Sequence, residues 1–322
     1  MPIEDSRTRL DIQLLLKYPG FSRSYLSKCI KAGYVKVNGE VVTKSSLHIK
    51  DSEIIEFDTE AAKKILKEEN FDSVTPVNLP MDIVYEDEDL LAINKPSGMP
   101  THPSHGHQED TLLNRIHAYL QASDATATKF MIHRLDKDTS GLILFAKSDK
   151  MLWWMHRAFA ERQVEKHYYA LSFASKKYKE GEEFTIEGYL ERSRKEGKHY
   201  VFSNKYGRWS KTEFKILKQY SVSKNYFFGL ALIDCAPKTG RTHQIRVHLK
   251  QANLPIWSDP IYSSEKQIKV VDSFSKDNRV ESRLFLHAYH LVFRSYNGKK
   301  YDIQIPLAED LEKLLKKIDD QK

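Results

Sequence analysis

The chain is 322 residues long, 40% hydrophobic and 30% charged, with a mean hydropathy of -0.57; that is enough for a sizeable core and two domains, and its longest apolar stretches, such as Tyr226 to Ile233, are too short to span a bilayer. The start, Met1-Pro2-Ile3-Glu4-Asp5-Ser6-Arg7, lacks the apolar core of a secretory leader, and Cys29 and Cys235 are the only cysteines, so a cytoplasmic protein with neither a disulfide framework nor a thiolate metal site is expected. A net charge of +7 and a pI near 9.0 favour a polyanionic partner, because cations that neutralise phosphates release counterions.

In chain order, the first sixty residues predict a compact module. Residues 1 to 50 hold nine Lys or Arg against four acids. Leu10, Leu14 and Leu15 carry a helical period, Pro19-Gly20 breaks it, and a second helix opens at Ser22 or Ser24 and ends at Gly33. Tyr34 to Val42 alternates as two strands around Asn38-Gly39, a strong hairpin signal. Residues 61–80 then change character, from the charged run Ala61 to Glu69 to Pro76 and Pro80, and predict a linker. From Met81 onward strand patterns at Ile83 to Tyr85, Leu90 to Ile93, Leu142 to Ala146, Tyr168 to Phe173, Tyr226 to Cys235 and Leu284 to Phe293 are separated by long segments, which points to an α+β domain over residues 81–322.

One stretch carries a chemical signal. His133-Arg134-Leu135-Asp136-Lys137-Asp138-Thr139-Ser140-Gly141 sets an acid among polar residues immediately before the apolar strand Leu142 to Ala146. Asp, Thr, Ser and Gly favour turns for local reasons, but a carboxylate at the mouth of a core strand, flanked by Arg and Lys, also suits a held functional group. His102, His105 and His107 lack an evident fourth ligand, so a loop over the cleft is expected there and no metal site.

The stretch H-R-L-D-x-x-T-S-G resembles the catalytic motif of the RluA/RluD-type RNA pseudouridine synthases. Three further segments are similar to that family's signatures, in the same order: Asp89-Leu90-Leu91-Ala92-Ile93-Asn94-Lys95-Pro96-Ser97-Gly98, then Lys166-His167-Tyr168-Tyr169-Ala170, then Thr239-Gly240-Arg241-Thr242-His243-Gln244-Ile245-Arg246-Val247-His248-Leu249. Arg9-Leu10-Asp11, Ser22-Arg23-Ser24 and Gly33 to Gly39 resemble the S4 RNA-binding domain, which assigns residues 1–60 an αL-like fold and makes Arg23, Lys28 and Lys31, on the second helix, the matching phosphate-facing cations. For the remainder the resemblance implies a pseudouridine synthase fold, with a long, mixed, mostly antiparallel central sheet, flanking helices and a cleft across its middle.

The resemblance also implies roles. Breaking the N1–C1′ bond of uridine and rejoining the base through C5 needs an ionised carboxylate as nucleophile or base, and no cofactor; Asp136 matches it. A basic partner favours the charged form and orients it, and Arg246 matches that partner, on a helix that Thr242 is expected to cap, with His243, Arg246 and Leu249 on one side and Leu249 near the base. Tyr168 matches the tyrosine that stacks on uracil, whereas Tyr169 should face the other side of its strand. The nucleotide must leave its helix to react, and Arg134 matches the residue that fills the vacated stack. Lys95, Lys166 and Arg241 are further candidates for contacting phosphate or ordering loops. Relatives usually carry G-h-P-I-x-G-D-x-x-Y where this chain reads Asn253-Leu254-Pro255-Ile256-Trp257-Ser258-Asp259-Pro260-Ile261-Tyr262, so Trp257 and Ser258 predict a changed loop surface and a changed choice of target.

RNA is therefore the expected partner, large-subunit ribosomal RNA first, with a transfer RNA substrate or a non-catalytic RNA-binding, ribosome-assembly role as alternatives; a monomer is expected. Asp136-Lys137-Asp138 also resembles the D-x-D of haloacid-dehalogenase-type phosphotransferases, but there the apolar strand precedes the acids, and here the distal Asp319-Asp320 pair lies in what reads as a charged tail.

Overall fold

The computed structural model describes residues 7–18, 21, 23–62, 74–104, 106–123, 130–193, 199–220 and 229–320. Pro19-Gly20, Ser22, residues 63–73 of the expected linker, His105 and the start of the expected strand Tyr226 to Cys235 lie outside the described residues.

The N-terminal unit is built on the leucine period. Helix α1 (Leu10–Lys17) turns Leu10 and Leu14 onto Leu26 and Ile30 of α2 (Arg23–Lys31), and all four are fully buried with Val35. Strand β1 (Arg7–Arg9) pairs with β4 (His48–Lys50), while β2 (Val35–Val37) lies between β3 (Glu40–Val41) and β5 (Ile55–Phe57). The β2–β3 loop is the two residues Asn38 and Gly39, with φ of 52° and 85°; a two-residue hairpin of this kind needs positive φ at both places, which Asn tolerates and Gly adopts freely.

The rest is organised by one mixed sheet of eleven strands, from β6 (Asp82–Glu86) to β16 (Lys300–Gln304), with a path that runs β12-β11-β13-β14-β10-β15-β9-β7-β6. Every pairing is antiparallel except β9 (Ser140–Ala146) with β15 (Leu286–Arg294), which is the mixed, mostly antiparallel arrangement expected. All seven residues of β9 are buried, because the sheet is covered on both faces there, and its continuous apolar run is the sequence mark of that position. Helix α3 (Leu112–Ser123) packs Leu112, Ile116 and Leu120 on β7 (Leu90–Lys95) and β9 from one side. Helix α4 (Asp149–Ala160) packs Met151, Leu152 and Met155 from the other.

A third core lies between β10 (Glu165–Ala174), β13 (Arg208–Tyr220), β14 (Gly229–Pro237) and the helices α5 (Gln244–Gln251), α6 (Glu265–Asn278) and α7 (Glu309–Asp319). Helix α7 corrects the reading of a charged tail: Leu311, Leu314 and Ile318 are buried, and Asp319 accepts from Lys218 Nζ at 2.8 Å. Its charges are the solvent face of an amphipathic helix. Phe21 and Tyr25 of the N-terminal unit meet Trp153 of α4, with the Phe21 and Trp153 rings 4.2 Å apart. On the far side of residues 63–73, Val74 is buried against α3 and its carbonyl oxygen lies 2.6 Å from His117 Nδ1.

Candidate active site

Register brings the site together. Tyr168 of β10 pairs with Ala288 of β15, and Ala288 pairs with Gly141 of β9, so the three residues form one row across the sheet. Gly141 has φ 109°, and a Cβ there would sit 2.0 Å from the Ala288 carbonyl oxygen; only glycine lets these two strands run parallel at this distance. The loop before β9 therefore leaves the sheet beside Tyr168, and Asp136 stands in it.

That loop is held by side chains from the segment Lys95 to Thr101. Thr101 Oγ1 donates to the Leu135 carbonyl at 2.8 Å, Lys95 Nζ to the Lys137 carbonyl at 3.0 Å, and Ser97 Oγ to the Asp138 carbonyl at 2.7 Å. Lys95 is fully buried and also donates to the carbonyls of Pro96 and Met99, so it orders a loop and does not face a phosphate; burial pulls its ammonium down to about 7 against the attraction of Asp138 and Asp136. His133 is likewise absorbed, as its Nε2 accepts from the Leu144 backbone N–H at 3.0 Å. With the backbone fixed on both sides, the Asp136 carboxylate projects into a cavity of about 270 Å³ and stays 21% exposed.

Two cationic or polar groups from α5 face it. Arg246 Nη1 lies 3.8 Å and His243 Nε2 3.9 Å from Asp136 Oδ2. Arg246 is aimed by a second carboxylate: its Nε and Nη2 donate to Asp259 at 2.7 and 2.8 Å in a fork, and Asp259, fully buried, accepts from the backbone N–H groups of Ile261 and Tyr262 as well. Burial works against the Arg246 charge, but the bonds and charge of Asp259 and the charge of Asp136 outweigh it and raise its pKa. The third guanidinium nitrogen is thus left pointing at Asp136. His243 has φ 56°, with Nδ1 2.9 Å from the Tyr262 hydroxyl, and burial lowers its pKa.

The start of α5 differs from the expectation. His243, not Thr242, is the N-cap, and it makes no side-chain cap; Gln244 instead ties down the preceding loop, taking hydrogen bonds from the Arg241 N–H at 3.0 Å and from Thr239 Oγ1 at 2.7 Å. Leu249 is a second correction. It is fully buried among the core residues of α5 and β14 and does not line the cavity. His243 stands outside the helix with a left-handed backbone, and within the helix the three-residue step from Arg246 falls about 60° short of a turn, which turns Leu249 toward the core.

Tyr168 is partly buried in the cavity wall; burial, then the charge of Asp136, raises its hydroxyl well above the phenol range, so it is protonated near neutral pH. Tyr169 faces the other side, stacked on Tyr289 with ring centroids 3.7 Å apart. Arg134 is exposed at the cavity rim, with Nη1 3.5 Å from His102 Nε2. Lys166 and Arg241 line the same cavity: Lys166 donates to the Val164 carbonyl at 3.3 Å and burial brings it to about 8, and Arg241 Nε donates to the Trp209 carbonyl at 3.1 Å. In the N-terminal unit Lys28 and Lys31 are exposed on α2, whereas Arg23 is engaged with buried Asp11 at 2.9 Å, a carboxylate it shares with Arg9.

Trp257 corrects another expectation. It lies in the core, 1% exposed, stacked on Phe173 at 5.4 Å and edge-on to Phe274, so this half of the departure fills an interior space, whereas Ser258 is half-buried. The importance of Asp259 and Tyr262, read in the sequence only as survivors of a motif, comes from their contacts with Arg246 and His243.

A mixed, mostly antiparallel sheet with a carboxylate, a guanidinium and a tyrosine converging on one cavity, preceded by a small basic unit, defines an α+β enzyme of the RNA-modifying kind. A family profile described as RNA pseudouridylate synthase matches residues 89–251, and one described as S4 domain matches residues 8–55. The chain is 33% identical over 297 residues to an uncharacterized RNA pseudouridine synthase of Aquifex aeolicus, covering 90% of this chain and 87% of that one. It is 30% identical over 297 residues to ribosomal large subunit pseudouridine synthase D of Borreliella burgdorferi, covering 90% and 83%. Human RNA pseudouridylate synthase domain containing 4 shares the fold, with a TM-score of 0.57 at 23% identity over 74% of this chain and 93% of that one. The chain belongs to the RNA pseudouridylate synthase family, with an S4 domain ahead of the synthase region, and is an RNA pseudouridine synthase, an isomerase.

Proposed function

We propose that this enzyme isomerises specific uridines of large-subunit ribosomal RNA, with Asp136 starting the reaction at an everted nucleoside. The observation that carries the assignment of roles is the convergence on Asp136 of Arg246 at 3.8 Å and Tyr168 in one cavity whose loop is fixed by Lys95, Ser97 and Thr101. Arg246, aimed by Asp259, faces the Asp136 carboxylate and orients it. Eversion costs a few kcal/mol. Stacking on Tyr168 returns about 1–3 kcal/mol, so a second contribution is needed, and Arg134 at the rim supplies it by occupying the space the base has left. Because Tyr168 is protonated, it serves as a platform and hydrogen-bond donor, not as a ready base.

Ribosomal RNA is the substrate class of the large-subunit synthase among the relatives, and the exposed Lys28 and Lys31 of the S4 domain, with Lys166 and Arg241 in the cavity, are the phosphate contacts on this reading. We place the domain divisions at residues 1–60, 61–80 and 81–322, with the chain acting as a monomer in the cytoplasm; among the described residues no helix is long and apolar enough to cross a membrane. The test is tritium release from C5-labelled uridine in ribosomal RNA. Asp136→Asn, which keeps the side chain's shape and leaves Arg246 its fork to Asp259, is expected to fold normally and lose release by at least about 10³-fold, the scale of losing a group that acts in the transition state; product at the wild-type rate removes Asp136 from the mechanism.

A further inference from the structure

Cationic charge gathers about Arg241, which lines the cavity. Arg162 follows α4 with φ 62°, and its guanidinium lies over the Trp209 indole, 4.6 Å from the ring centroid. Arg208 precedes Trp209 on β13 and is exposed, and Arg241 is fixed by its Nε bond to the Trp209 carbonyl. Burial, then the charges of Arg208 and Arg162, lowers the pKa of Arg241, which reflects how close the three cations are.

Several guanidinium groups elsewhere are matched with acids, Arg157 with Glu161, Arg246 with Asp259 and Arg283 with Asp310, while others, such as Arg115 and Arg294, bond backbone carbonyls. Here, among the described residues, none of Arg162, Arg208 and Arg241 lies within 4.0 Å of a carboxylate, although Glu161 is the chain neighbour of Arg162 and turns instead to Arg157 at 2.7 Å. Like charges held together with no acid between them cost stability unless an anion arrives to separate them.

We propose that Arg162, Arg208 and Arg241, arranged about Trp209, form a phosphodiester-binding ledge for the RNA strand flanking the everted uridine. The planar fork of a guanidinium matches two phosphate oxygens at once. Arg241 also lines the cavity that contains Asp136, so a phosphate bound there belongs to the nucleotides next to the reacting one. One face of Trp209 is already covered by Arg162, so on that face the indole presents the cation and does not stack a base.

This rests on the proposed RNA-modifying role of the cavity, and its test separates the two. Arg162→Gln, Arg208→Gln and the double variant, all at exposed positions, are compared with wild type and Arg162→Lys on a ribosomal RNA fragment that wild type modifies. The expected result is a KM about tenfold higher for each arginine lost, with kcat retained. The slope of log binding constant against log salt is expected to be about 0.7 shallower per arginine, the single-strand value. Arg162→Lys keeps the charge, and should keep the slope while losing part of the affinity. A double variant with wild-type KM and salt slope, or with kcat lowered at unchanged KM, overturns the ledge. Absence of pseudouridine from wild type on every RNA would overturn the function reading instead, and the salt slope would still judge the ledge.

Discussion

Asp259 shows how the role of a residue is set by what faces it. It is fully buried, yet its two oxygens are taken up by the Arg246 fork and two backbone N–H groups, so the charge is compensated and Arg246 has one nitrogen left for Asp136. Just before it, Ser258 stands where relatives usually carry glycine and adopts φ 57°. An L-residue in that region costs about 1–2 kcal/mol, and glycine gives back about 0.4–1 kcal/mol through its freer unfolded chain. Ser258→Gly is therefore expected to stabilise the enzyme by about 0.5–1 kcal/mol, read as a higher Tm; a lower Tm would show that the 3.0 Å Ser258–Ser282 contact outweighs the strain. Asp136, Tyr168 and Arg246 were legible because whole motifs surround them. Trp257 was misread because a motif gives residue types and not the side of the chain that faces the core.

At the scale of elements, the parallel contact between β9 and β15 decides the geometry of the site. Gly141→Ala places a methyl group against the Ala288 carbonyl and adds a φ that L-residues avoid, so the pair must separate. A loss of at least about 3 kcal/mol is expected from overpacking and strain together, with tritium release falling because the loop that carries Asp136 no longer leaves the sheet beside Tyr168; a variant with unaltered Tm and activity would show that the strands can adjust. The Asn38-Gly39 hairpin, α1, and the strands at β7, β9, β10, β14 and β15 were evident from local pattern, since turn chemistry and apolar period act over a few residues. The β11 (Glu183–Arg192) and β13 strands were not singled out, although Thr212, Phe214 and Ile216 alternate with Lys211, Glu213 and Lys215 at the period of a half-buried strand. Helix α6 carries a readable start, the capping box of Ser264 and Gln267.

The molecule as a whole carries buried histidines that tie its response to pH. His248, between Ser210 and Thr212, and His287, between Ser140 and the Pro306 carbonyl, are fully buried, and burial holds each at about 4. Unfolded, both titrate near about 6.5, so between these values the unfolded chain binds more protons. The stability they supply is complete above the unfolded value and is lost as pH falls from there toward about 4, with roughly 2 kcal/mol gone per histidine at pH 5. Melting at pH 5 should thus begin well below melting at pH 7, and His248→Gln, which can still bond Ser210, should narrow that gap; equal Tm values at the two pH values would contradict the assignment.

By itself the sequence determined the family, the α+β class, the basic N-terminal module and the residues that converge on the cavity, because each of these is written in local pattern or in an ordered set of motifs. Only the tertiary structure decided that Lys95 orders a loop, that Leu249 and Trp257 belong to the core, that Asp259 aims Arg246, and that three arginines from distant segments gather about Trp209. Those outcomes depend on which faces meet across strand pairings and helix docking far apart in the chain, and no short-range signal carries that information.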